Sequence, residues 1–185
     1  GPNPGLGRTQ ALPAPAQGPR SFRAMQSEDL DRVMEVEVRA YSFPWSRGNF
    51  QDSLKSGYAA EVLETAADVL LGYYVAMPGV DELHLLNITV VPDFQRCGQG
   101  RALLDRLEWQ AQQRSLSTIW LEVRASNTRA RYLYGARGFV EQGVRKGYYP
   151  AGGLRREDAV VMKLDLAQEA APVSYTHLTL PTICS

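Results

Sequence analysis

Little in this chain of 185 residues invites redox or metal chemistry. It has two cysteines, Cys97 and Cys184, far apart and without framework spacing, and only two histidines, with no carboxylates clustered around them. That pattern fits a reducing compartment and supplies no ligand set for a metal ion. An excess of one charge is missing too. Twenty Lys+Arg balance twenty Asp+Glu, so no bulk field argues for nucleic acid or an anionic membrane as the main partner. No apolar stretch approaches the ~20 residues of a membrane span. The opening residues lack the charged start and apolar middle of a signal peptide. A cytoplasmic globular protein with a sizeable buried core is the expectation.

What is present falls into three parts. Residues 1–20 are rich in Pro, Gly and Ala with no apolar period and read as a disordered extension. Residues 167–185 fit no element and read as a tail outside the domain. Between them, residues 21–166 alternate strands and helices. SFRAM reads as a short strand. A helix starts near Ser27 and carries Leu30, Val33, Met34, Val36 and Val38 out to Ala40. After Pro44, a second helix spans SRGNFQDSLKS with Ser46 as a possible cap. Tyr58–Glu64 and Val69–Met77 form a hairpin. HLLNITVVP is a nearly continuous apolar run, the pattern of a central strand buried on both faces. Gly100–Arg114 is an amphipathic helix with Leu103, Leu104, Leu107 and Ala111 on one face. TIWLEVR alternates as a strand, Asn127–Arg137 is helical up to Gly138, and Phe139–Lys146 and Ala159–Leu166 are closing strands. The fold class is α/β (α+β): a mixed, mostly antiparallel central sheet flanked by about four helices.

The joint VVPDFQRCGQGRALL sets Gly98 and Gly100 where a strand turns into a helix. The first turn of a helix carries amides without intrahelical partners and partial positive charge from the macrodipole. Glycines let those amides approach a phosphate, and Arg96 and Arg101 add full charges. A tight turn with surface arginines is the plain alternative. The joint is neither a dinucleotide fingerprint, since a third glycine is missing at the required spacing, nor a Walker loop, since no G-K-[ST] follows.

The Q/R-x-x-G-x-G pattern, followed in order by WLEVRASN, LYGARGF, YYP and REDAVVM, resembles the RimI-type ribosomal-protein-alanine N-acetyltransferases of the GNAT superfamily. The likeness spans roughly Phe22 to Leu166. It implies acetyl-CoA as cosubstrate, no metal, and the N-terminal peptide of a ribosomal protein as partner, in particular the N-terminal alanine of small-subunit ribosomal protein eighteen. It further implies that Ile88, Thr89 and Val90 offer strand backbone to the pantetheine amides, in the manner of an added strand. The pyrophosphate then falls to Arg96, Cys97, Gly98, Gln99, Gly100 and Arg101, with Asn127 a further cofactor contact; Asn127 also suits a plain helix N-cap.

Two proton problems attend acetyl transfer from a thioester to an amine. The amine must lose a proton to attack, and the departing thiolate needs one. In TIWLEVR, Trp120, Glu122 and Arg124 share one face of the strand. Glu122 is then a solvated strand carboxylate, a partner for Arg124, or a base. Tyr134, beside Leu133, reads on its own as an aromatic of the apolar stripe. The resemblance implies Glu122 as proton acceptor and Tyr134 as proton donor. Trp45, Tyr148 and Tyr149 suit the walls of a peptide slot or equally a packed loop. His84 reads as structural. Glu157 and Asp158 either orient substrate or pair with Arg155 and Arg156. Acetylation of another amine, on a lysine or a small metabolite, and a non-catalytic acyl-CoA-binding module stay open as alternatives.

Overall fold

The computed structural model describes residues 19–95 and 97–167. The expected extension and tail lie outside the described residues except at their inner edges, as does Arg96. At the inner edge of the extension, Arg20 opens the first strand rather than ending a disordered segment.

The elements follow the expected order. Strand β1 (Arg20–Ala24) leads through a 3-10 turn (Ser27–Asp29) into α1 (Leu30–Ala40) and α2 (Arg47–Lys55). Strands β2 (Ala59–Thr65), β3 (Leu70–Pro78) and β4 (Glu82–Val90) come next, then α3 (Gln99–Gln113), β5 (Thr118–Arg124), α4 (Thr128–Arg137), β6 (Val140–Pro150) and β7 (Arg156–Asp165). Local chemistry sets the ends. Ser46 caps α2 by accepting from the Asn49 amide, Asn127 caps α4 by accepting from the Ala130 amide, and Gly138 ends α4 at φ +111°.

The seven strands form one sheet in the order β1-β2-β3-β4-β5-β7-β6, antiparallel throughout except for β4 beside β5. That parallel pair holds together only over Glu82–Thr118, Leu83–Ile119 and His84–Trp120. Beyond His84 the strands part, and a fork opens in the middle of the sheet. Helix α3 packs against β3, β4 and β5. On the other face, Glu37 of α1 bonds the Tyr73 hydroxyl of β3 and the Asn87 amide of β4.

Three expectations need correcting. The strand buried on both faces is β2, where all seven residues are buried, rather than β4. In β4 burial alternates, and His84, Leu86, Ile88 and Val90 stay half-buried. On α1, Val38 is exposed and Glu37 is buried. The carboxylate can sit inside because the Tyr73 hydroxyl, the Asn87 amide and the Trp45 backbone amide all donate to it. Lastly, β6 runs on through Tyr148 and Tyr149 to Pro150, four residues past its expected end at Lys146.

Candidate active site

The site is built around the fork. Backbone groups in an antiparallel ladder point alternately to the two neighbouring strands. The Val91 amide bonds Leu71 of the β3 segment, so the backbone groups of Ile88 and Val90 face the opposite edge, where β5 has separated. The Ile88 carbonyl accepts a hydrogen bond there from Tyr41 at 2.9 Å. The Thr89 side chain instead turns inward, bonding Asn87 at 2.8 Å and sharing a 2.7 Å bond with the Tyr41 hydroxyl. Of these three candidates, Ile88 and Val90 turn their backbone to that edge, with the Ile88 carbonyl held by Tyr41, and Thr89 braces it.

Past β4 the chain reaches the glycine joint. Gly98 adopts φ +79° as the N-cap of α3, a left-handed conformation that glycine takes without strain. A Cβ there would meet nothing within 4 Å. The first backbone bond of α3 runs from Ala102 to Gly98, so the amides of Gln99, Gly100 and Arg101 precede the ladder. Arg101 is exposed and the Gln99 side chain is buried, accepting from Arg20. Gln99 therefore offers the joint its amide rather than its side chain. The open glycine and the amides ahead of the α3 ladder are thus the groups of the joint with the chemistry to receive an anion. Asn127 spends its side-chain oxygen on the α4 cap.

Glu122 lies on the β5 side of the fork with a side chain only 8 % exposed. Its Oε2 is 2.5 Å from His84 Nε2, and its Oε1 faces Arg145 Nε at 3.5 Å. His84 is thus a partner of the candidate base and not a core histidine. Tyr134 sits half-buried on α4, its ring 5.6 Å from Phe139. Burial first, then the neighbouring phenols of Tyr41 and Tyr149, push its hydroxyl pKa up, so it keeps its proton at neutral pH. Burial and the charge of Glu122 likewise push Tyr149 up to about 12. The Tyr149 phenol on β6 thus feels the charge of Glu122 and adds to the upward push on Tyr134.

A cleft of about 680 Å³ opens around Arg124. Tyr41, Phe43, Arg124, Ser126, Arg156 and Glu157 are among the residues that line it. Arg124 organises it: the guanidinium lies 5.0 Å from the Phe43 ring and 4.6 Å from that of Tyr149, and bonds Pro150 O and Glu157. Trp45 packs on Phe50 at 5.0 Å, against the core, so the loop's contribution to the wall passes to Tyr41 and Phe43. Tyr148 meets Tyr149 edge-on at 4.9 Å and stays exposed. Glu157 pairs with Arg124 and the Ser126 amide, and Asp158 with Lys146 and the Gly147 amide, rather than with Arg155 and Arg156. Sequence reasoning missed Tyr41, Phe43 and the His84–Glu122 bond. Only the run FPWS next to Trp45 pointed toward that loop. Among the described residues, no group of three or more His, Cys, Asp or Glu side chains could hold a metal ion.

A forked sheet with a glycine-capped helix at its mouth defines a class of protein. The sequence profile of the Acetyltransferase (GNAT) family matches residues 30–139, and the chain belongs to that family of enzymes. It is 39 % identical over 147 residues to the [ribosomal protein bS18]-alanine N-acetyltransferase of Escherichia coli, covering 80 % of this chain and 98 % of that one. The Salmonella typhimurium protein of the same description is 40 % identical over 143 residues, 77 % of this chain and 95 % of the relative. In three dimensions the chain is similar to the crystal structure of the Escherichia coli ribosomal-protein-S18-alanine N-acetyltransferase. The TM-score is 0.74 at 35 % identity, over 84 % of this chain and 99 % of that one.

Proposed function

We propose that this chain transfers acetyl from acetyl-CoA to the α-amine of a protein N-terminal alanine, that of ribosomal protein bS18 being the preferred acceptor. The observation that carries the reading is the fork itself. It leaves β4 and β5 unpaired beyond His84 and Trp120, with the buried Glu122 on the β5 side and a cleft lined by Tyr41, Phe43 and Arg124. The relatives named for bS18 alanine support the choice of acceptor.

Each residue has a separate task in direct transfer within a ternary complex. Amides 98–101 and Arg101 hold the diphosphate. The edge of β4 aligns the pantetheine arm and donates to the thioester carbonyl as charge builds there. An α-ammonium has a pKa near 7.7–8.0, so a carboxylate such as Glu122, directly or through a water, suffices to remove its proton. Tyr134 keeps its own proton until the thiolate leaves, then supplies it. Tyr41, Phe43, Tyr148, Tyr149 and Arg124 flank the incoming peptide. The reading places the enzyme in the cytoplasm, with access to newly made ribosomal protein.

The test is mass spectrometry of two peptides after incubation with acetyl-CoA: one with a free N-terminal alanine, one blocked at its N-terminus and carrying an internal lysine. Acetyl on the free alanine alone is expected. Modification of the lysine in the blocked peptide, or of neither peptide, would reject the assignment.

A further inference from the structure

His84 became a neighbour of Glu122 through a defect in strand pairing. In β3–β4, Val75 pairs with Asn87 and Ala76 pairs with Leu85, so Leu86 is an extra residue. Consecutive residues point to opposite faces. Asn87 therefore shares the face of Val75, Leu85 takes the face of Ala76, and His84 returns to the face of Asn87. A regular strand would point residues 84 and 87 opposite ways; the bulge brings them to one side. On that side His84 stands at the last rung before the fork opens and reaches Glu122 on β5.

We propose that His84 is a positioning residue for Glu122, an inference that rests on Glu122 being the proton acceptor. Nε2 of His84 fixes Oε2 at 2.5 Å. Oε1 is left to a weaker partner, because Arg145 Nε stands 3.5 Å away on a side chain that is 55 % exposed. That separation exceeds the ~2.7–2.9 Å of a charge-assisted bond, so an incoming amine displaces it at little cost. At Oε1 the N–H bond of the substrate ammonium breaks and an O–H bond forms, while the nitrogen keeps the electron pair that attacks the thioester. His84 holds the carboxylate in the rotamer that aims this oxygen into the fork. The other charged or titratable groups around Glu122 are Arg145 and Tyr149 on β6, Arg124 on β5 and Lys163 on β7, which lies over Trp120.

The experiment uses the full chain with H84A, H84Q, E122Q and H84A/E122Q, reading kcat/KM for an Ala-starting peptide together with coenzyme A affinity. H84A is expected to lower kcat/KM roughly tenfold, a fraction of the 10²–10⁴ that general acid–base catalysis contributes. It should also leave coenzyme A affinity unchanged. H84Q keeps an N–H near the Nε2 position and is expected to recover activity to within about threefold. On the E122Q background H84A should add nothing. The proposal is overturned if H84A leaves the rate unchanged, if H84Q is as poor as H84A, or if the losses multiply in the double variant. A fully active E122Q would instead remove Glu122 from the chemistry and His84 with it.

Discussion

Gly98→Ala separates the glycine joint as a turn from the joint as a binding element. Gly98 stands at φ +79° with open space around the position of a Cβ. The substitution meets no clash, so its effect on folding is conformational: about 1–2 kcal/mol for an L-residue in the left-handed region, slightly offset by a stiffer unfolded chain. For a chain of this size about 1 kcal/mol lowers Tm by ~2–4 °C. The methyl group, however, projects where a diphosphate would approach amides 99–101. Coenzyme A affinity should fall at least tenfold, a loss of about 1.4 kcal/mol or more. Pantetheine carries the same amide-bearing arm without the diphosphate, and its affinity should not change. Calorimetric titration of both ligands against wild type and variant, with Tm read alongside, decides the matter. Equal losses for the two ligands, or unchanged coenzyme A binding, would refute the diphosphate assignment.

Tyr134→Phe keeps the ring packed on Phe139; kcat should drop roughly 10²-fold with coenzyme A affinity within about twofold. Because burial raises the Tyr134 pKa, its deprotonation should produce no basic limb in the wild-type kcat profile below about pH 10. Gly72→Ala acts on stability by another route, since its Cβ would lie 2.7 Å from the Thr89 carbonyl and 3.1 Å from Leu103 Cδ1. Overpacking of about 1–3 kcal/mol should lower Tm by several degrees in a calorimetric scan. Glu64 is held below its ordinary range by the bond from Arg23, with burial opposing and Arg32 adding to the pull. A carboxylate depressed in the folded state contributes stability above its unfolded pKa of about 4.3 and loses it as pH falls through the folded value. Glu64→Gln should therefore flatten the fall of Tm with pH on the acid side of about pH 5.

The element order, the span of TIWLEVR, the Ser46 and Asn127 caps and the glycine-opened helix were legible in the residues alone. Each rests on local periodicity or on the conformational needs of single residues, which depend on near neighbours in the chain. The catalytic candidates Glu122 and Tyr134 were legible only as a motif, since a strand carboxylate and a helical tyrosine carry no mark of what they face. What they face depends on the pairing of distant segments, such as the His84–Glu122 bond between β4 and β5. Tertiary structure alone decided three further matters. Glu37 is buried because donors from β3, β4 and the Trp45 loop converge on it, against the helical stripe that favoured Val38. The cleft wall passes to Tyr41 and Phe43 because Trp45 is drawn onto Phe50. His84 meets Glu122 because one unpaired residue in β4 resets the pleat, and strand pairing is a property of two chain segments that neither one encodes by itself.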